Sequence, residues 1–186
     1  MLQQNICLEN KCILVTGAAG FIGAFLVKEL LNSVEPVHIV GLDNMNCYYD
    51  PTLKEYRLAE IKKLSESKSS SGWTFIKGDL ADRQLIDSIF KEYKFDLVVN
   101  LAAQAGVRYS IINPDAYIES NLIGFYNILE ACRHYPVEHL VYASSSSVYG
   151  AGKKVPYSTD DKVDNPVSLY AATKKCNELL AYAYSK

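Results

Sequence analysis

Short apolar runs alternate with longer amphipathic stretches along the whole chain. The apolar runs lack regular alternation with polar residues, which is typical of strands buried on both faces of a parallel sheet. They predict five strands, at Lys11–Thr16, Val37–Leu42, Trp73–Lys77, Asp96–Asn100 and Glu138–Ala143. The amphipathic stretches predict five helices, at Gly20–Asn32, Pro51–Ser65, Asp82–Tyr93, Pro114–His134 and Ser168–Ser185. This alternation of strand and helix indicates an α/β domain with a doubly wound parallel sheet.

Composition narrows the function without identifying it. The chain has 186 residues, of which 49% are hydrophobic, enough for one sizeable core. A formal net charge of −2 gives no electrostatic reason to expect a nucleic acid or an anionic membrane as partner. The five cysteines form no CxxC pair and share no metal-ligand spacing with the three histidines, so we expect reduced thiols in a cytoplasmic protein and no metal site. Met1–Asn10 has no targeting signal, and no apolar run approaches the roughly 18 residues of a membrane span.

A glycine-rich turn, with Gly17, Gly20 and Gly23, follows the first predicted strand and opens the first predicted helix. These glycines permit a tight turn, close approach of a pyrophosphate to the backbone, and close packing of helix on strand. The phosphates would bind the free N–H groups of the helix N-terminus. Asp43 follows about 20 residues later, where a carboxylate binds the adenosine ribose hydroxyls and repels a 2′-phosphate. The pattern predicts a Rossmann-type domain that binds NAD, although a solvated aspartate would also fit position 43.

Tyr170 and Lys174 lie four residues apart at the start of the last predicted helix, and therefore on one helical face. A lysine ammonium beside the phenol favours the phenolate, which lets the tyrosine exchange a proton near neutral pH. Such a pair alone is often only a surface contact. Four consecutive serines, Ser144–Ser147, follow the fifth predicted strand, where a doubly wound sheet has its binding crevice. Hydroxyl donor, general base and glycine turn together predict a site that oxidises and reduces a carbinol carbon.

These motifs resemble the extended short-chain dehydrogenase/reductase superfamily, and within it the NAD-dependent nucleotide-sugar epimerases and dehydratases. The matching segments are TGAAGFIG, LDN, KGDL, LAAQAGVRYS, SNLIGFYNILEACR, YASSSSVYG and PVSLYAATKK, which cover nearly the whole chain. Two segments look closer still to UDP-glucuronate 4-epimerases, namely Asp43–Pro51 and Ala102–Ser110.

The resemblance implies a role for each matching residue. Catalysis would use Ser145, Tyr170 as general base and Lys174. NAD would be held by Gly17, Gly20, Phe21, Ile22, Gly23, Asp43, Asn44, Asp79, Leu80, Leu101, Ala102, Ala103 and Gln104, together with Tyr170 and Lys174. The residues alone leave Asp79 equally as an adenine contact or a helix cap. The substrate would contact Arg108, Ser145 and Ser146.

The implied reaction is epimerisation at C4 of a UDP-sugar through a 4-keto intermediate, with UDP-glucuronate converted to UDP-galacturonate. Related dehydratases carry acidic residues directly after the catalytic serine or threonine, where this chain has Ser146 and Ser147. Elimination lacks that acid here, which favours epimerisation. Arg108 would pair with the C6 carboxylate or with nucleotide phosphates, unless it is an ordinary exposed arginine. UDP-glucose 4-epimerase and nucleotide-sugar 4,6-dehydratase remain the alternatives within this class.

Relatives of this kind have a further C-terminal region that binds the substrate nucleotide. We therefore expect residues 1–186 to form the NAD-binding Rossmann domain, truncated before the remaining strands and that region, and to be poorly active alone. A catalytically idle NAD-binding module is the alternative from another class. The long helices Pro114–His134 and Ser168–Ser185 resemble those that pair in dimeric relatives, so a homodimer is expected.

Overall fold

The computed structural model describes residues 6–152 and 156–186. The first half of Met1–Asn10, in which no targeting signal was predicted, therefore lies outside the described residues. Five parallel strands form one sheet in the order β3-β2-β1-β4-β5. Their bounds are β1 Lys11–Thr16, β2 Val37–Asp43, β3 Gly72–Lys77, β4 Leu97–Asn100 and β5 His139–Tyr142. The central position of β1, paired on both sides, confirms the predicted doubly wound sheet.

In the part of the chain that the structure describes, seven α-helices follow or connect these strands. They are α1 Phe21–Ser33, α2 Pro51–Glu66, α3 Arg83–Tyr93, α4 Tyr109–Ile112, α5 Pro114–Tyr117, α6 Gly124–His134 and α7 Leu169–Tyr184. A π-helical segment, Ile118–Ile123, joins α5 to α6, and a 3₁₀ helix spans Ser146–Tyr149. No helix within the described residues is long and apolar enough to cross a membrane.

Two cores lie on opposite faces of the sheet because successive side chains of β1 point in opposite directions. On one face, Leu14 packs with residues of α3 and α6, including Phe90 and Ile128. On the other face, Ile13 and Val15 pack with residues of α1 and α2. Helices therefore cover both faces, as a doubly wound fold requires.

The long helix predicted at Pro114–His134 is correct in position but not uniform. Its middle is the π-helical segment, in which Asn121 is buried and bonded to the loop after β4. π-Helical turns are rare and occur mostly at functional sites. The polar contacts of Asn121 therefore indicate that this segment helps to position the loop after β4.

The prediction that every strand is buried on both faces is wrong for β3 and β5. No residue of β3 is buried, and the residues of β5 alternate between exposed and half-buried, with the Val141 side chain 46% exposed. The reason is topological, because β3 and β5 are the edge strands, each with one paired neighbour. The site residues that follow β5 therefore lie beside an open edge of the sheet.

Candidate active site

The carboxyl ends of β1, β2 and β4 meet at one edge of the sheet, because the register pairs Thr16 with both Leu42 and Asn100. The Thr16 hydroxyl donates to Asn100 Oδ1 over 2.7 Å and accepts from the Ala102 N–H over 3.1 Å. Both Thr16 and Asn100 are buried. These bonds hold the end of β1, from which the glycine turn begins, against the loop after β4.

The glycine turn needs its glycines for different physical reasons. Gly17 has a φ of +68°, and a Cβ there would lie 2.9 Å from the Ala102 nitrogen. Gly20 is the N-cap of α1, and a side chain on Gly23 would lie 2.2 Å from the Gly17 carbonyl oxygen. The turn therefore presses against the loop after β4, and it presents the uncapped N-terminus of α1 as an anion site.

Asp43 ends β2 and is buried at the edge of this crevice. Its Oδ2 accepts from the Ala19 N–H over 3.2 Å, and its Oδ1 accepts from the Met45 N–H over 2.8 Å. Lys54 of α2 donates to the same Oδ1 over 3.2 Å. Since a carboxylate accepts about four hydrogen bonds, Asp43 keeps one acceptor position, on Oδ2. The solvated-aspartate alternative is therefore wrong.

A cavity beside the glycine turn brings together most of the predicted cofactor residues. We call it the glycine-loop cavity. It is lined by the predicted residues Gly17, Gly20, Asp43, Asn44, Asp79, Leu80, Leu101, Ala102, Ala103 and Gln104. Further lining residues were not predicted, and they include Asn46, Tyr48, Tyr49, Lys54 and Ser120.

Three predicted residues of α1 lie beside this cavity without lining it. The Phe21 and Ile22 side chains are each 67% exposed at the first turn of the helix. Gly23 is buried under the turn. Any contact of Phe21 or Ile22 with a phosphate at the helix N-terminus would therefore use backbone N–H groups.

Asp79 is oriented toward Asn44 and does not cap α3. Its Oδ2 accepts from Asn44 Nδ2 over 2.9 Å, and its Oδ1 accepts from the Ala81 N–H over 2.9 Å. The capping bond comes from Asp82, whose carboxylate accepts from the Leu85 N–H. The helix-cap alternative for Asp79 is therefore wrong, and Asp79 and Asn44 form one polar corner of the cavity.

A buried polar network joins the cavity to α7. Asn121 exchanges hydrogen bonds with the backbone of Gln104, at 2.8 and 3.1 Å, and its amide also donates to the Thr173 hydroxyl over 3.0 Å. Asn177 donates to the Asn121 carbonyl over 2.6 Å. These hydrogen bonds thereby fix the position of α7, which carries Tyr170, relative to the loop that lines the cavity.

Tyr170 and Lys174 lie on α7, which begins at its N-cap Ser168 and packs against the 3₁₀ helix. Lys174 is 5% exposed and donates to the Ala143 carbonyl over 3.0 Å. Burial lowers the pKa of Lys174 to about 8. Tyr170 is half-buried, with its ring 6.0 Å from that of the fully buried Tyr117. The Lys174 side chain therefore stays protonated near neutral pH, but it loses its proton at a lower pH than a surface lysine does.

Ser145 is the N-cap of the 3₁₀ helix directly after β5. Its hydroxyl accepts from the Ser147 N–H over 3.2 Å and lies 3.1 Å from the Ser147 hydroxyl. Ser146 is exposed, whereas Ser144 donates to Glu178 of α7 over 2.6 Å. Within the described residues, no hydrogen bond joins Ser145 or Lys174 to Tyr170. Catalytic hydrogen bonds are commonly long in the absence of substrate.

Arg108 is exposed directly before α4, and it does not line the glycine-loop cavity. It belongs to the segment between β4 and α4, whose residues Leu101–Ala105 line the cavity. No group of three or more metal-ligating side chains occurs among residues 6–152 and 156–186.

Two buried residues of this region were not singled out in the sequence. Lys54 shares the buried face of α2 with Ile61, seven residues later, and a lysine on an apolar face is a usable signal. Tyr117 is fully buried, and its hydroxyl donates to the carbonyls of Ala105, over 2.8 Å, and Gly106. Its position in a helical apolar stripe conceals this polar role.

A family model described as GDP-mannose 4,6 dehydratase matches residues 14–186. The chain belongs to this family. Protein CapI of Staphylococcus aureus is 51% identical over 93% of this chain and 49% of its own length. UDP-glucuronate 4-epimerase 4 of Arabidopsis thaliana is 48% identical over 93% of this chain and 38% of its own length.

Among solved structures, the Bacillus cereus UDP-glucuronic acid 4-epimerase, in complex with UDP-glucuronic acid and NAD, is similar with a TM-score of 0.78. It is 33% identical, and the match covers 93% of this chain and 52% of that one. The chain thus spans about half or less of the length of the relatives it matches. The resemblance to nucleotide-sugar epimerases and dehydratases is confirmed, and so is the fold.

Proposed function

We propose that this chain supplies the NAD-binding and catalytic part of a UDP-sugar 4-epimerase, with UDP-glucuronate as the sugar nucleotide. The observation that carries the proposal is the meeting of three elements at one sheet edge, namely the glycine turn, Asp43 and the α7 helix with Tyr170. The similarity to proteins named UDP-glucuronate 4-epimerase, one of them solved with NAD, supports the same assignment.

The glycine-loop cavity fits the adenosine and pyrophosphate of NAD. A Cβ at Gly17 would lie 2.9 Å from the Ala102 nitrogen and one at Gly20 would lie 3.0 Å from the Gly17 carbonyl oxygen, so glycine at both positions keeps the turn tight, and the α1 N-terminus supplies N–H donors for a pyrophosphate. The free acceptor position of Asp43 suits a ribose hydroxyl, and the corner formed by Asn44 and Asp79 suits the adenine edge. NAD, when bound, supplies the oxidising and reducing chemistry at C4.

The chain's own residues would handle the proton and the sugar oxygen. Tyr170 accepts the proton of the C4 hydroxyl, and Ser145 donates a hydrogen bond to the same oxygen. The Lys174 ammonium, present below its pKa of about 8, favours the tyrosine phenolate and binds the nicotinamide ribose. The resulting 4-keto sugar turns over in the site and regains its hydrogen on the opposite face.

Epimerisation is favoured over dehydration although the family model is named after a dehydratase. Elimination needs an acid beside the catalytic hydroxyl. Ser146 and Ser147 follow Ser145 here, and the nearby Glu178 is bonded to Ser144 and Lys175. UDP-glucose 4-epimerase and nucleotide-sugar 4,6-dehydratase are the remaining candidates.

The proposal includes a cytoplasmic homodimer. The five cysteines are free, which suits a reducing compartment. Exposed apolar side chains on α6 and α7, namely Tyr126, Leu179 and Tyr182, offer a surface for a second copy. A catalytically idle NAD-binding module would have no use for Ser145, Tyr170 and Lys174 together.

The test incubates the full-length product of the gene that encodes this chain with NAD and, in turn, UDP-glucuronate, UDP-glucose and GDP-mannose. NMR of the product resolves the configuration at C4. We expect UDP-galacturonate from UDP-glucuronate without net consumption of NAD. A 4-keto-6-deoxy sugar would establish the dehydratase instead, and no turnover of any substrate would favour the idle module.

Replacing Arg108 with leucine separates the glucuronate proposal from the wider one. If Arg108 pairs with the C6 carboxylate, Arg108→Leu raises KM for UDP-glucuronate about tenfold or more and leaves UDP-glucose much less affected. Arg83→Leu, which removes another exposed arginine, is the control. Equal losses for the two sugars would rule out the carboxylate contact.

A further inference from the structure

A buried lysine lies beside the carboxylate that would select the cofactor. Lys54 is 4% exposed, and its ammonium donates to Asp43 Oδ1 and to Asn46 Oδ1, each over 3.2 Å. The same ammonium lies 5.3 Å from the centre of the Tyr49 ring. Within the described residues the third N–H of Lys54 has no partner, and Lys54 lines the glycine-loop cavity. A buried cation with a spare donor therefore borders the place where a ribose hydroxyl would bind Asp43.

The structure holds Lys54 in this position from several sides. Arg57, one turn further along α2, donates to the Ala19 carbonyl over 3.2 Å and to the Tyr49 hydroxyl over 2.8 Å. These bonds tie α2 to the glycine turn and so fix the backbone position from which Lys54 reaches the cavity. Arg57 is itself engaged, which leaves Lys54 as the cation available to a ligand at Asp43.

We propose that Lys54 is a specificity-determining residue, which sets how strongly this site distinguishes NAD from its 2′-phosphorylated form, NADP. The inference rests on the proposed function, since it assumes a dinucleotide in the glycine-loop cavity. With Asp43 ionised, the pair is neutral and the carboxylate repels a 2′-phosphate. Without the charge of Asp43, the ammonium is left unbalanced beside the 2′ position and becomes a phosphate-binding group.

The physical basis is the cost of an unpaired buried charge. A buried ammonium that loses its carboxylate partner is strongly unfavourable until another anion takes its place. A 2′-phosphate supplies that anion and makes charge-assisted hydrogen bonds, which are about twice as strong as neutral ones. The discrimination against NADP is therefore a balance of two side chains, not a property of Asp43 alone.

The test measures dissociation constants for NAD and NADP by calorimetry on four proteins, namely wild type, Asp43→Asn, Asp43→Asn with Lys54→Met, and Lys54→Met. We expect Asp43→Asn to shift the ratio toward NADP by about tenfold or more. The double variant should lose most of that shift. Lys54→Met alone should discriminate against NADP more strongly than wild type. Lys62→Met, an exposed lysine on the same helix, is the matched control and should leave the ratio unchanged.

Equal ratios for Asp43→Asn and the double variant would overturn the proposal. If Asp43→Asn does not fold by circular dichroism, Lys54→Met decides alone, and an unchanged ratio there overturns the inference. Wild-type protein that binds NAD while Lys54 has no effect contradicts only this inference. Wild-type protein that binds neither dinucleotide contradicts the proposed function itself.

Discussion

The glycine-loop cavity and the region after β5 differ in how tightly their functional groups are held. In the cavity, Asp43 has two backbone partners and a buried lysine, all within 3.2 Å. After β5, the Ser145 hydroxyl forms hydrogen bonds only with Ser147 among the described residues, and the Tyr170 ring packs against that of Tyr117. We call this second region, with Ser145, Tyr170 and Lys174, the serine–tyrosine face.

The difference corresponds to two tasks. A resident cofactor needs a site that is rigid before the ligand arrives, which buried groups with several hydrogen-bond partners provide. A sugar that must turn over between two proton transfers needs room and hydroxyls free to change partners. Changes in the cavity should therefore affect cofactor affinity, whereas changes on the serine–tyrosine face should affect turnover.

The largest effect is expected from Tyr170→Phe, which removes the proposed general base. Turnover of UDP-glucuronate by the full-length protein should fall by about 10²- to 10⁴-fold, because that is the contribution typical of a positioned acid or base. NAD affinity should change little. NMR rates and calorimetric titration measure the two quantities.

Tyr182→Phe, an exposed tyrosine on the same helix, is the control and should retain full activity. A Tyr170→Phe protein that still turns over at the wild-type rate would show that the serine–tyrosine face is not where the proton is transferred.

Gly17→Ala tests the cavity in the same way. The positive φ and the approach to Ala102 leave no space for a Cβ, so the turn must shift. We expect NAD affinity to fall at least about tenfold and stability to fall by about 1–3 kcal/mol. Gly152→Ala, on an exposed loop without positive φ, is the control. Unchanged NAD affinity in Gly17→Ala would remove the glycine turn from the binding site.

Lys174→Met probes the buried member of the serine–tyrosine face through pH. The folded-state pKa of about 8 lies below the ordinary 10.5, so the folded protein binds fewer protons than the unfolded chain between these values. Wild-type stability should therefore rise by about 3 kcal/mol from this group as pH increases from 8 to 10.5. Lys174→Met lacks that rise, so its stability relative to wild type should decline over this range.

Urea unfolding at pH 7, 8, 9 and 10 measures the difference between Lys174→Met and wild type. Lys175→Met, which removes a neighbouring lysine that pairs with Glu178 near the surface, should show no such pH dependence. A wild-type-minus-variant difference that stays constant across the range would contradict the burial of an ammonium at position 174.

The smallest effect is expected from Tyr117→Phe, where the two regions meet. The hydroxyl supports the carbonyls of Ala105 and Gly106, and the ring contacts Tyr170. Its loss should cost about 1 kcal/mol, because part-buried carbonyls lose their hydrogen-bond donor. Urea unfolding measures this, with the more exposed Tyr126→Phe as control. A stability loss below that of the control would make Tyr117 a packing residue only.

Much of the fold could be predicted from the sequence because local pattern and tertiary role agree there. The strand at Lys11–Thr16 has apolar side chains for both faces of the sheet, and the structure buries its last four residues between two layers of helices. The burial of β3 and β5 was mispredicted because an apolar run does not reveal whether a strand lies at the edge of a sheet. The π-helical segment contains Asn121, which forms hydrogen bonds with a loop distant in the sequence. The helical periodicity of the sequence does not predict such contacts.

The site residues likewise differ in whether local sequence or tertiary packing determines their role. Gly17, Gly20 and Asp43 were recognisable because strand, turn and helix fix their spacing along the chain. Lys54 was not, since its partnership with Asp43 depends on how α2 returns over the glycine turn. The serine cluster and the pair Tyr170 and Lys174 were recognisable by type, but the bonds of Ser145 to Ser147 and of Lys174 to Ala143 arise only when the 3₁₀ helix and α7 pack.

The most direct test follows one hydrogen atom through the reaction. UDP-glucuronate deuterated at C4 is incubated with the full-length protein and NAD in ordinary water, and the C4-epimerised product is examined by NMR and mass spectrometry. If the cavity and the serine–tyrosine face act together through a 4-keto sugar, the deuterium returns to C4 of UDP-galacturonate. A product that carries solvent hydrogen at C4, or no epimerised product, would contradict the account.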